Sequence, residues 1–426
     1  MQVAEAAEVY WVSFQETPVS FEANRLKYLT TRQSSGVALR VIVNGRIGHS
    51  ATNHREDMAA LVSRAVEVAQ FGPEAHFELP GPQTYPSVEA YDPQTEAFPV
   101  DAMVELGQGL IDGVRAHAPD LQCEAGVAKE TLTLHIINSR GSQAEYHKSV
   151  FSASLWGTLV QDTDMLFVGD GETLCQPMTD GLVIIERVLR QLELAQRTAT
   201  VSSGALPVIF TPRGVRSALV APLYAAFSGR VVLQGASPLG GRLGETVFSP
   251  HLTLWDDPTL PLSPGGRPFD DEGIPTQRTP LVAAGAVANF LYDLQTAGLA
   301  GTRSTGSARR SLGGLPSPSV STLIVDEGEA TFPDMVADMK EGLVIEDLMG
   351  ASQGNVLGGD FGGNVLLGYK VEAGTIVGRV KDTMVAGNVY KVLSSLRGIG
   401  QEARWVGGHL RTPALYGDSI SVSTKS

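Results

Sequence analysis

Apolar positions in the first half of the chain alternate between two spacings, one that suits strands and one that suits helices. Val37 to Val43 (VALRVIV) reads as a strand, and Asn44-Gly45 after it reads as a hairpin turn, because both residues tolerate positive φ. A helix follows, with Asn53 as its cap and Glu56 three residues on. Met58, Leu61, Val62, Ala65 and Ala69 fall on one face, and Gly72-Pro73 stops it. The same spacing predicts a second helix from about Asp101 to His117, striped by Met103, Leu106, Leu110 and Val114, with Pro119 beyond its end. Thr131 to Asn138 (TLTLHIIN) opens with strict alternation, Ser139-Arg140-Gly141 turns, and a return strand runs to about Trp156. A long helix from about Asp180 to Ala195 presents Leu182, Ile185, Leu189 and Leu192.

The texture then changes. Thr198 to Ala205 (TATVSSGA) is small and polar and marks the expected domain boundary. Leu206 to Thr211 reads as a strand, and Gly214 to Ser228 as an apolar helix kinked at Pro222. Ser237 to Thr279 is rich in Gly and Pro and reads as loop. Short strands follow at Ser321 to Val325, Leu343 to Leu348, Val365 to Val371 and Thr375 to Val380, the last two joined through Glu372-Ala373-Gly374. Val385 to Asn388 leads into a short helix, and Asp418 to Thr424 reads as a closing strand. The Gly-rich stretch Gly354 to Gly368 reads as a turn region. The expected fold class is α+β in two domains: an N-terminal α+β domain over 1–200 and a β-rich C-terminal domain over 201–426.

Composition narrows the function. Hydrophobic residues make up 43% and charged residues 18% of the 426 positions, enough apolar material for a sizeable core. The formal charge of -14 repels phosphate backbones and no Lys/Arg cluster offsets it, so direct nucleic-acid binding is not expected. Cys123 and Cys175 read as buried free thiols. No apolar run reaches the roughly 20 residues of a spanning helix, and the N-terminal segment has no basic n-region, so a cytoplasmic protein without membrane contact is expected.

Standard catalytic strings are missing. There is no HExxH; His49 and His54 stand five residues apart across a strand-to-helix junction and need not converge. No GxSxG, GxxxxGK[ST] or GxGxxG occurs, the nearest string to the first being Gly301 to Gly306 (GTRSTG). The densest polar cluster is Phe269-Asp270-Asp271-Glu272-Gly273. Its three acids can aim at a cation or, more plainly, accept backbone N–H groups in a tight turn. Thr302 to Arg310 (TRSTGSARR) is a basic loop of small residues suited to holding a carboxylate or a peptide backbone through charge-assisted bonds, or to standing in solvent.

In order and spacing these segments resemble the TldD/PmbA family, whose members are also called modulators of DNA gyrase. The strings are GVALRVIVNGRIG (Gly36 to Gly48) with Ser50-Ala51-Thr52 after it, NSRG (Asn138 to Gly141), the strand Leu206 to Thr211, FDDEG (Phe269 to Gly273), LYD…GTRSTG (Leu291 to Gly306), GLVIEDLMG (Gly342 to Gly350) and MVAGN (Met384 to Asn388). The resemblance implies a metallopeptidase. In its TldD branch, the helix after the boundary strand carries an HExxxH zinc motif, and a Cys near the C-terminus adds a third ligand. Here that helix, Val215 to Phe227, contains no His, Glu, Asp or Cys, and the C-terminal Gly407-Gly408-His409 offers no Cys. One His cannot make a three-ligand zinc site. The departure matches the TldE/PmbA branch.

The resemblance therefore implies a subunit with no catalytic residue and no cofactor of its own. Zinc is expected in a TldD-type partner and an unfolded peptide as substrate. Asp270, Asp271, Glu272, Arg303, Ser304 and Thr305 are the candidate substrate-groove residues. An alternative is a stand-alone homodimeric peptide- or protein-binding regulator without proteolysis. A weaker one is an independent hydrolase using a metal site built from the acidic loop and a distant His such as His251 or His409.

Overall fold

The computed structural model describes residues 3–54 and 58–424. The fold is α+β. Very long strands dominate the first part: Ala6–Glu22, Gln122–Asn138 and Gln143–Gln161 have 17, 17 and 19 residues. At about 3.3 Å per residue each exceeds roughly 50 Å. They form the centre of a seven-stranded antiparallel sheet, ordered Arg46–Thr52, Arg32–Val43, Ala6–Glu22, Gln122–Asn138, Gln143–Gln161 and Asp164–Leu174, with Arg25–Leu29 paired to the far end of Ala6–Glu22. The hairpin expected at Asn44-Gly45 is present, with φ of 50° and 71° at the two turn residues and Val43 facing Arg46.

Strand register explains how so long a sheet is covered. Side chains alternate between faces. At one end the odd-numbered Val19, Phe21, Cys123, Ala125, Val127, Phe151 and Ala153 are buried under the helices Val100–Arg115 and Leu182–Leu194. At the other end the even-numbered Tyr10, Leu134, Ile136 and Ala144 pack on Phe269 of the acidic loop. The first helix buries the expected Met103, Leu106, Leu110 and Val114. The second buries Ile184, Val188 and Gln191, and the predicted Leu182 is 60% exposed. Its contact face is rotated by one position because the Gln191 side chain is drawn in to bond both backbone groups of Gly169.

Helix Met58–Ala69 buries Leu61, Ala65 and Ala69 but exposes Met58 and Val62. Glu56 of its expected capping pair lies outside the described residues.

In the second part, Glu341–Met349, Gly204–Phe210, Leu415–Thr424, Thr383–Asn388 and Asp360–Glu372 pair in that order, and Asp360–Glu372 pairs back onto Glu341–Met349. These five strands close into a ring, which leaves none of them as a free edge. Thr375–Val380 and Leu396–Ile399 add to it. Part of the Gly-rich stretch thus lies in a strand: at Gly363 an added Cβ would come within 2.8 Å of the Met349 carbonyl oxygen. A further six-stranded sheet of short strands includes Leu254–Asp256, Leu323–Val325 and Leu410–Thr412.

The apolar helix expected over Gly214 to Ser228 is two short helices, Pro212–Ala218 and Val220–Ala226. The break falls at Leu219, with φ of -110°, and not at Pro222. Pro222 occupies the first turn of the second helix, where its missing N–H costs nothing. Ion pairs such as Arg404 to Asp170 at 2.8 Å tie the second part to the long sheet.

Candidate functional site

The acidic loop is a turn within a buried charge network. Gly273 takes φ of 73°, and the turn closes as Asp270 N–H donates to the Ile274 carbonyl at 2.9 Å. Asp270 Oδ1 accepts from the N–H groups of Glu272 and Ile274 at 2.9 and 3.0 Å, and its Oδ2 from Ala308 N–H at 2.9 Å. Asp271 Oδ2 accepts from Arg310 N–H at 2.9 Å. Glu272 accepts from Arg40 and from Leu294 N–H at 2.7 Å, where the helix Leu294–Ala300 begins. Arg40 also donates to Glu8 at 3.0 Å, and Arg310 ion-pairs with the other Glu8 oxygen at 2.8 Å. Burial pushes Asp270 and Glu272 above the usual carboxylate range, with Arg267 and Arg40 respectively opposing it. Glu8 is held below that range by Arg40 and Arg310, which outweigh its own burial.

This network has a geometric consequence. The residues flanking Arg309 are pinned on both sides, Ala308 by Asp270 and Arg310 by Asp271. Arg309 is thereby set facing the middle of the long sheet. There a cleft of about 360 Å³ opens between the sheet's even-numbered face and the loops of the second part. Phe14, Leu132 and Lys148 form one cross-strand row of its floor. Thr173, Arg309 and His409 stand around it. Burial, helped by Arg309 and Arg267, pushes Lys148 down to about 7, against the opposing pull of Cys175 and Glu130. His409 is pushed down to about 4 by its enclosing walls and by Arg309, Lys148 and Arg216. It is therefore a neutral imidazole at pH 7. Arg216, on the helix Pro212–Ala218, reaches toward the same region: its guanidinium carbon lies 3.1 Å from where a Cβ on Gly407 would stand.

Family models match over two segments, as the PmbA/TldA metallopeptidase C-terminal domain at residues 203–424 and as its domain 1 at residues 7–69. The chain belongs to the TldD/PmbA family.

Two archaeal relatives are similar over most of the chain. An uncharacterised protein of Methanocaldococcus jannaschii is 26% identical over 90% of this chain and 89% of its own. A metalloprotease of Methanothermobacter thermautotrophicus is 24% identical over 94% and 89%. Among solved structures, TldE from Thermococcus kodakarensis superposes with a TM-score of 0.86 at 23% identity, covering 99% of this chain and 97% of that one. A proposed modulator of a DNA gyrase from Thermotoga maritima gives 0.89 at 23%, covering 98% and 96%.

Within this family fold, the paired helices Pro212–Ala218 and Val220–Ala226 do not fit a zinc ion. Val215, Ala218, Val220, Leu223 and Ala226 are packed into the large apolar core, and neither helix bears a metal-ligating side chain. Among the described residues, no three His, Cys, Asp or Glu side chains gather in a way that could hold a metal.

The six candidate groove residues fall in two places. Asp270, Asp271 and Glu272 are buried with their oxygens turned to backbone N–H groups and arginines. Ser304 and Thr305 donate to the Tyr292 carbonyl at 3.1 Å each, and Arg303 is exposed. The acidic loop and the 302–310 loop do meet, through Ala308 and Arg310. Sequence reasoning missed Lys148 and gave His409 only to a metal site. Arg309 was signalled only as part of the basic loop.

Proposed function

We propose that this chain is a TldE/PmbA-like subunit of a TldD/TldE-type metallopeptidase, acting in the proteolysis of unfolded peptides. One observation supports this most: a metallopeptidase-family fold whose paired helices after the boundary strand turn hydrocarbon to the core and carry no His, Cys, Asp or Glu, where the TldD branch carries its zinc motif. A TldD-type partner supplies the zinc that activates water. This chain supplies walls and backbone groups that hold the substrate extended, for which strand addition is the general mode. The test is to mix the purified chain with its TldD-type partner and follow association by size exclusion and cleavage of an unfolded peptide. A stable complex that cuts faster than the partner alone is expected. Absence of both association and any gain in cleavage would reject the reading, in favour of a homodimeric binding protein if the chain alone retains peptide.

A further inference from the structure

The cleft on the middle of the long sheet holds two cations, Lys148 and Arg309, that no side chain pairs directly. Lys148 and Arg309 are each of intermediate exposure, with their charged ends enclosed by the cleft walls. Among the described residues, neither side chain has a hydrogen-bond or ion-pair partner, and Arg309 Nε is a buried donor without an acceptor. A buried donor is ordinarily matched by an acceptor, from the protein, a ligand or water. Glu130 lines the same cleft and attracts Lys148 at a distance, but the two form no ion pair. Its carboxyl is itself raised, by burial and by Glu16. The surplus is built at some cost: Arg309 is held against the repulsion of Arg267 by the two acids that clamp its neighbours. It also stands out in a chain of net charge -14.

We infer that this cleft is a carboxylate-binding site for peptides, in which Lys148 and Arg309 together grip one carboxylate while Phe14 and Leu132 receive the adjoining apolar side chain. Arg309 can offer two parallel N–H groups to a carboxylate, and Lys148 a single ammonium. Neutral His409 at the rim can donate or accept without adding charge. A cleft of about 360 Å³ admits the end of a peptide or one acidic side chain with its neighbours. Asp270 and Asp271 are positioning residues here, since they act on the ligand only through Arg309. The peptide identity of the ligand rests on the function proposed above, but the anion chemistry does not.

The isolated full chain, free of any partner, is titrated with a short, N-terminally labelled, unstructured peptide of neutral side chains. The titration is run on the C-terminal acid, on its amide, and on an amide carrying one internal Glu; inorganic phosphate is the competitor. The acid or the Glu-bearing amide should bind at least about tenfold more tightly than the neutral amide, and which of them does so identifies the source of the carboxylate. Lys148→Met and Arg309→Met should each remove that preference, Arg309→Lys should keep part of it, and the exposed Lys27→Met should leave it intact. Circular dichroism of each variant verifies folding. Equal binding of all three peptides, retention of the preference in both folded Met variants, or phosphate bound more tightly than peptide would overturn the inference. Because no partner is present, the cleft can fail here while partner association succeeds, and the reverse.

Discussion

Arg40 answers two carboxylates from different parts of the chain, Glu8 on the first strand and Glu272 on the acidic loop, all three nearly inaccessible to solvent. Removing one partner of such a group leaves uncompensated charge in a medium that solvates it poorly. Arg40→Met is therefore expected to destabilise the protein by about 3–5 kcal/mol in urea unfolding. Lys148 gives a pH signature. It faces Arg309, Arg267, Glu130 and Cys175, with His409 across the cleft, and its value near 7 lies below the 10.5 of a free lysine. The native state thus loses this proton before the unfolded state does, and between those two values Lys148 makes stability rise with pH. Lys148→Met should flatten that part of the stability profile. Carboxylate binding, which needs the ammonium, should weaken as pH rises through about 7 and take up a proton at pH 8, measurable by calorimetry in buffers of different ionisation enthalpy. At this scale the sequence was only partly informative. FDDEG announced a turn of acceptors, but Lys148, Arg309 and His409 are far apart in sequence and meet only through sheet register and loop return.

Elements were more legible where one face is apolar and the other wet. Helix Val100–Arg115 shows its stripe because a single surface covers it. The strand Ala6–Glu22 escaped notice because its covered face switches along its length, Tyr10 at one end and Val19 and Phe21 at the other, which breaks alternation. Pro18 disguises it further. It is tolerated because it falls in the gap between the pairings Glu16 with Arg32 and Val19 with Leu29. Two substitutions test the local readings. Pro222→Ala should change stability by less than about 1 kcal/mol, since a first-turn proline breaks no helical bond; a kink at that position would have made the change larger. Ala373 has φ of 47° in the turn between Asp360–Glu372 and Thr375–Val380. Relief of that strain should let Ala373→Gly raise stability by about 1 kcal/mol, seen as a higher thermal midpoint.

Across the whole molecule, the strand ring and the long sheet share apolar contacts, with Ile209, Val344 and Tyr369 of the ring packed in the same cluster as Phe151 and Leu155. The cleft is bounded by both parts, so its shape depends on how they are fastened. No helix among the described residues is long and apolar enough to cross a membrane. The ordered strings that suggested the family belong to different layers of this assembly, which is why their spacing carried more information than any one of them. What decides the proposed function is the pair of helices at 212–226, whose core-facing side chains are hydrocarbon and whose remaining side chains include no His, Cys, Asp or Glu. Its most direct test is elemental analysis of the purified chain after exposure to zinc and removal of loosely held ions, followed by the same analysis of its complex with a TldD-type subunit. Well under one zinc per isolated chain, and about one per complex, is the predicted result. One tightly held zinc per isolated chain, ligated by its own side chains, would contradict it.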